Sequence, residues 1–220
     1  MILYSYWRST TSYRVRAALN LKRVAYSQRT VDLVTGDQRA PDYAALNPGK
    51  GVPTLQLDDG TILTQSLAII DFLDATYPDP PMLSGDPAAR ARQLAVALTV
   101  ATDIHPVNNL RVVGQLKSRF NATADDAQDW MCHWMAEGFA AIEDLLPDTT
   151  HEPASGATQT FAFGDTPDLA DLCITAQVYN AHRWGVDLTP YPKIARIEAA
   201  CLAIPEIQAA APENQPDAPR

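Results

Sequence analysis

Cysteine is scarce in this chain: Cys132, Cys173 and Cys201 are the only three, an odd number and widely spaced. That pattern suits buried thiols in a reducing compartment better than a disulfide framework, and no zinc-ligand spacing accompanies it, so no metal centre is expected. Clustered positive charge is also lacking. Lys and Arg number 17 against 26 Asp and Glu, a net charge of −9, and the basic residues form no long run. A non-specific nucleic-acid binder needs the opposite, since phosphates are neutralised by grouped cations. Long apolar runs are missing as well: no stretch nears the ~20 residues of a membrane helix, and the apolar start Met1–Tyr6 lacks a basic n-region and a long apolar core. The expectation is a cytoplasmic protein with neither nucleic acid nor membrane as partner. What is plentiful is globular material, with 46% hydrophobic and 20% charged residues in a 220-residue chain, enough for one large or two modest domains.

Two regimes meet near residue 80. Before it, Ile2–Tyr6 and Ala25–Val31 read as strands around a helix over Tyr13–Lys22, a βαβ unit. Thr54–Leu57 and Thr61–Leu63 flank the turn triplet Asp58-Asp59-Gly60 and read as a hairpin. A helix over Gln65–Tyr77 carries Leu67, Ile69, Ile70 and Leu73 on one broad face. Pro78-Asp79-Pro80-Pro81 stops it, and residues 78–86 read as a linker. Beyond Pro87 the pattern is helical, over 87–119, 124–146, 168–184, 192–203 and 205–211. The sequence thus predicts an α/β domain over 1–80 and an all-α domain over 87–220. A polar surface loop without a chemical motif is expected over 147–160, and a trailing tail over 213–220.

Several polar groups could carry chemistry. Arg8-Ser9-Thr10-Thr11-Ser12 places four hydroxyls between a strand and a helix. Such a cluster fits an N-cap with solvated neighbours, or an anion site in which a helix dipole and a hydroxyl depress the pKa of a bound thiol. Val52-Pro53 would suit a cis bond that presents the Val52 backbone to an extended peptide, and Gln65-Ser66 opens a helix able to receive a carboxylate or simply to be capped. The order βαβ, X-Pro, ββ, Gln-Ser-helix is more specific than any of its parts. Asp168-Leu169-Ala170-Asp171 has capping-box spacing, and the Trp130, Trp134, Gly138 stripe reads as helix packing.

With these motifs, together with Leu3–Arg16, Ala45–Pro48, Val52–Leu55, Gln65–Ile70 and Val186–Pro192, the chain resembles the zeta-class glutathione transferases over essentially its whole length. That family includes the maleylacetoacetate and maleylpyruvate isomerases. The resemblance implies a glutathione transferase fold, in which a thioredoxin-like α/β N-terminal domain binds most of the glutathione and an all-α C-terminal domain follows, and it implies a homodimer. Ser9, Thr10 and Thr11 would face the glutathione sulfur, and which of them is the main donor stays open. Val52, with Pro53, would pair its backbone, Gln65 and Ser66 would hold the γ-glutamyl end, and Gln38 would lie near the tripeptide. Where many zeta enzymes have Ser-Ser-Cys, this chain has Ser9-Thr10-Thr11.

In the helical half, Pro106 should kink a long helix within Asp103–Arg111. Taken alone, His105 fits a satisfied helix histidine, Arg111 a solvated arginine and Arg183 a favourable helix-end cation. The resemblance implies instead that His105 and Asn109 contact glutathione, and that Arg8, Arg111 and Arg183 hold carboxylates of a small dicarboxylate oxo acid, with Arg111 favouring maleylpyruvate. It implies glutathione as cofactor for cis to trans isomerisation of a maleyl-type substrate, by thiolate addition to the double bond, rotation and elimination. The alternatives are a transferase that conjugates small electrophiles and a non-catalytic interaction protein of the same fold.

Overall fold

The computed structural model describes residues 1–148 and 160–219. The central part of the loop expected over 147–160, and Arg220, lie outside the described residues. The described chain forms two compact units, Met1–Met82 with Leu202–Arg220, and Leu83–Cys201.

The first unit is built on a four-stranded mixed sheet of order β2-β1-β3-β4. β1 (Ile2–Ser5) pairs parallel with β2 (Ser27–Thr30) and antiparallel with β3 (Thr54–Gln56), which pairs antiparallel with β4 (Ile62–Thr64). Parallel strands need a crossover, and α1 (Thr10–Leu21) supplies it. Gly60, at φ +89, turns the hairpin. α2 (Pro41–Leu46) precedes β3, and α3 (Ser66–Thr76) follows β4 and packs on α1. Leu3, Val15, Leu19, Leu55, Ile69 and Leu73 are fully buried in this unit. Each such side chain contributes roughly 1.5–3 kcal/mol.

Two expectations fail here. The stretch after Pro78 is not a free linker as far as Met82: Lys22 Nζ bonds Asp74 Oδ1 at 2.8 Å and donates to the carbonyls of Tyr77 and Pro80, and Met82 is fully buried. The C-terminal segment belongs to neither a helical domain nor a loose tail. α9 (Pro205–Ala210) packs on α1, Gln28 Nε2 donates to Gln215 Oε1 at 2.9 Å, and the Trp7 amide donates to Asp217 Oδ2 at 3.0 Å. Arg16 explains the attachment, since this fully buried guanidinium gives its Nε proton to Ala210 O at 2.9 Å and others to Ser5 Oγ, Tyr6 O and Trp7 O.

The second unit is helical. α4 (Pro87–Leu98) ends in a π-helical turn, Thr99–Ile104, and α5 (Leu110–Phe120) starts anew beyond Pro106. The continuous helix expected over 87–119 is therefore two helices, because proline gives no amide to carry the ladder through. α6 (Ala124–Leu145), α7 (Leu169–Trp184) and α8 (Pro192–Leu202) complete the unit. Gly138 on α6 lies against Ile104, where a Cβ would overlap its side chain, and Trp130 stands edge-on to Trp134, so the stripe is packing as expected. At the start of α7 Asp168 and Asp171 form the predicted capping box. Among the described residues no helix is long and apolar enough to cross a membrane.

Candidate functional site

The helix entrance of α1 lies next to the loop that leads into β3. Ser9 is the N-cap of α1: its Oγ accepts from the Ser12 amide at 3.2 Å. The capping reading of the hydroxyl cluster is thus realised at Ser9, but it is not the whole of the geometry. Thr11 Oγ1 donates to Val52 O at 2.8 Å and lies 2.9 Å from Ser9 Oγ. A hydroxyl has one proton, so with Thr11 donating to Val52 it is Ser9 that donates to Thr11. Ser9 can rotate that proton toward a nearby anion, while Thr11 ties α1 to Val52. Thr10 is buried, whereas Ser9 and Thr11 are half-buried at the surface of the unit.

Val52 is held from behind. Tyr43 Oη and Asn47 Nδ2 both donate to Gly51 O, and both bond Thr54 Oγ1, which fixes the chain on either side of a cis Val52–Pro53 bond. Burial raises the pKa of the Tyr43 hydroxyl, keeping it a donor. The Val52 side chain packs against the cluster of Tyr4, Val31 and Tyr43. Its carbonyl keeps a second lone pair beyond the Thr11 bond, so an extended peptide could still pair there.

The third feature of this unit is the start of α3. Gln65, at φ +69, stands in the N-cap position, but its side chain makes no cap bond. Ser66 is buried, and its Oγ accepts from Arg14 Nη1 at 3.4 Å. Gln38, in a short 3-10 turn and not in an open loop, is buried with Oε1 unpaired. A buried acceptor without a donor suits a ligand carrying N–H groups. These residues fit a peptide with an acidic end and a thiol. Arg8 belongs to the same unit and lies over the Trp7 ring.

The remaining predicted residues are in the second unit. His105 follows the π turn, and Asn109 caps α5 through its Oδ1, which accepts from the Arg111 amide at 3.2 Å. Arg111 is exposed in the first turn of α5, and Arg183 is exposed in the last turn of α7 over the Trp184 ring. Sequence reasoning singled out each of these, and it passed over Arg14. The signal was visible: Arg14 and Arg16 are the only charged residues in the helical stretch Thr10–Leu21.

All three cysteines lie in the second unit, and none belongs to the site just described. Burial pushes the thiol pKa of Cys132 and, much further, Cys201 upward, which makes neither a ready nucleophile. Among the described residues no cluster could hold a metal ion.

Comparison with known proteins agrees with this geometry. Residues 3–81 match the family model described as glutathione S-transferase, N-terminal domain. The chain is 43% identical to a maleylacetoacetate isomerase of Pseudomonas aeruginosa, over 100% of this chain and 99% of that protein. Among solved structures it is similar to a holo maleylpyruvate isomerase described as a bacterial zeta-class glutathione transferase, with TM-score 0.93, 41% identity and 100% of both chains covered. It is also similar to a maleylacetoacetate isomerase of Anaeromyxobacter dehalogenans solved with dicarboxyethyl glutathione and citrate in its active site, at TM-score 0.83 and 38% identity, covering 99% of this chain and 97% of that one.

Proposed function

Because the chain belongs to the zeta-class glutathione transferases, the family of the maleylacetoacetate and maleylpyruvate isomerases, we propose that it is a glutathione-dependent isomerase turning a maleyl-substituted oxo acid into its fumaryl isomer. The observation that carries the reading is the Ser9–Thr11–Val52 linkage at the entrance of α1, in a unit that contains no cysteine. That entrance is a thiolate site without a thiol of its own. Glutathione, when bound, supplies a thiolate that adds reversibly to the activated double bond, which lets the carbons rotate before the thiolate leaves.

The chain's residues do the rest. Ser9 turns its hydroxyl proton from Thr11 to the sulfur, and the positive end of α1 adds to that stabilisation, so the thiol ionises more readily. Thr11 holds Val52 so that its backbone meets the cysteinyl backbone of the ligand in register. Gln65 and Ser66 receive the γ-glutamyl end, and Gln38 lies near the tripeptide. Asn109 uses its oxygen as a cap and keeps its amide nitrogen to donate, and together with His105 it is proposed to contact the tripeptide. Arg8, Arg111 and Arg183 are proposed to bind the substrate carboxylates, a task that suits guanidinium forks. Arg111 supports maleylpyruvate as the preferred substrate. A homodimer in the cytoplasm is proposed as the working form, on family membership.

The test follows the ultraviolet spectra of maleylpyruvate and maleylacetoacetate with enzyme, with and without glutathione, while free thiol is counted. Isomerisation requires glutathione and leaves the thiol count unchanged; steady thiol consumption would make the protein a conjugating transferase instead. Arg111→Ala should reduce turnover of maleylpyruvate more than that of maleylacetoacetate, and equal losses would remove the preference.

A further inference from the structure

α1 carries two fully buried arginines with opposite surroundings. Arg16 spends its donors on Ala210 O, Ser5 Oγ, Tyr6 O and Trp7 O. Arg14, 1% exposed, has one bond, from Nη1 to Ser66 Oγ at 3.4 Å, and its Nε and Nη2 are unpartnered. No carboxylate pairs with it among the described residues. A buried guanidinium with no carboxylate beside it and two of its nitrogens unpartnered is destabilising.

The helix it touches is exceptional in another respect. α1, α4, α5, α6 and α7 have side-chain caps from Ser9, Asp86, Asn109, Thr123 and Asp168, and α8 has its Lys193 and Ile194 amides bonded by Glu143. Of the helices eleven residues or longer, α3 alone has no side-chain acceptor at its entrance, among the described residues. Free amides and the positive dipole end meet an unpaired buried cation at Ser66.

The direction of the one hydrogen bond matters. A guanidinium can only donate, so Ser66 Oγ is the acceptor and its own proton is free to point outward. We infer that Arg14 is a buried counter-charge for the α-carboxylate of the ligand's γ-glutamyl end, acting through the Ser66 hydroxyl and the uncapped start of α3, and that it sets the requirement for that carboxylate. It is a positioning residue, since Ser66 stands between it and the anion. The inference rests on the reading that glutathione binds this unit.

Calorimetry separates the two. Binding of glutathione is compared with that of 4-aminobutyryl-cysteinylglycine, which lacks only the α-carboxylate of the γ-glutamyl group, for the wild type, Arg14→Met and Arg14→Lys. The wild type should prefer glutathione by about 100-fold, Arg14→Met should lose about tenfold of that preference, and Arg14→Lys should recover most of it. A general packing defect would weaken both peptides alike and leave the ratio unmoved. Urea unfolding of ligand-free Arg14→Met should give a midpoint no lower than the wild type, since an unpaired charge has been removed. Should the Met variant fail to fold, Arg14→Gln, neutral but polar, is expected to show the same fall in preference. An unchanged ratio in the neutral variant overturns the inference while leaving glutathione binding intact. Failure of the wild type to bind glutathione overturns the proposed function itself.

Discussion

At the entrance of α7 the chain supplies two carboxylates of its own, whereas at the entrance of α3 it supplies none. Asp168 accepts from the Ala170 and Asp171 amides and from Gln93 Nε2, and Asp171 accepts from the amides of Ala162 and Asp168. Every oxygen has a partner, and the pair fixes the start of a helix that is buried along most of its length. At α3 the amides have no side-chain cap, and Ser66 is backed by a cation. The backbone at both entrances asks for the same negative charge. Where the fold provides it, the site is closed and structural; where it does not, a ligand can provide it.

Three changes at these entrances should have effects of different size. The largest effect belongs to Asp168→Ala, which removes the α7 cap and leaves Gln93 Nε2 and the Ala170 and Asp171 amides without their acceptor. It should cost about 2–4 kcal/mol in chemical unfolding. Glutathione affinity in the protein that remains folded should be unaltered.

Ser66→Asp converts the α3 entrance to the α7 type by giving Arg14 a carboxylate from the chain. It should raise the stability of the ligand-free protein by about 1 kcal/mol and weaken glutathione by on the order of 100-fold. Thermal unfolding and calorimetry read both. Unchanged glutathione affinity would mean that the ligand's carboxylate lies elsewhere.

The smallest effect is one of pH. Burial raises the pKa of Asp168 and Asp171, and for Asp171 the neighbouring Asp168 charge adds to it. The folded state therefore binds protons more tightly than the unfolded one, so the pair's contribution to stability is fully present below the unfolded carboxylate pKa of ~3.9 and is lost as pH rises through the raised folded values. The stability of the wild type relative to Asp171→Asn should fall with rising pH across that window, and a difference independent of pH would contradict this.

How much of this could be read from the sequence differs between the two entrances. The α7 box is local, an Asp and an Asp three residues apart before an apolar run, and its spacing alone predicted it. The sheet, the hairpin turn at Gly60 and the stop at Pro78 were legible for the same reason, since period and turn chemistry are short-range. The Ser9, Val52 and Ser66 positions were legible as types, because hydroxyls, an X-Pro and a Gln-Ser pair sit at element starts. Their arrangement was not. Thr11 meets Val52 41 residues away and Arg14 meets Ser66 52 residues away, and no periodicity encodes such pairings. The C-terminal segment differs from its sequence expectation for a related reason: its Pro and polar residues suit a solvated tail, and the donors that need its acceptors, Trp7, Arg16, Asn20 and Gln28, lie some 200 residues earlier. Pro106 was legible as a disturbance, but not the π turn Thr99–Ile104 before it, which no residue spacing marks.

Under the proposed function this protein activates a sulfur it does not own, at the entrance of α1. Titration of the ultraviolet thiolate absorption against pH tests it most directly, for enzyme saturated with glutathione minus enzyme saturated with S-methylglutathione, which cancels the protein's own thiols. The bound thiol should titrate well below the ~8.5 of a free cysteine in the wild type and return toward it in Ser9→Ala. A bound thiol that titrates at or above the free value in the wild type would contradict the account.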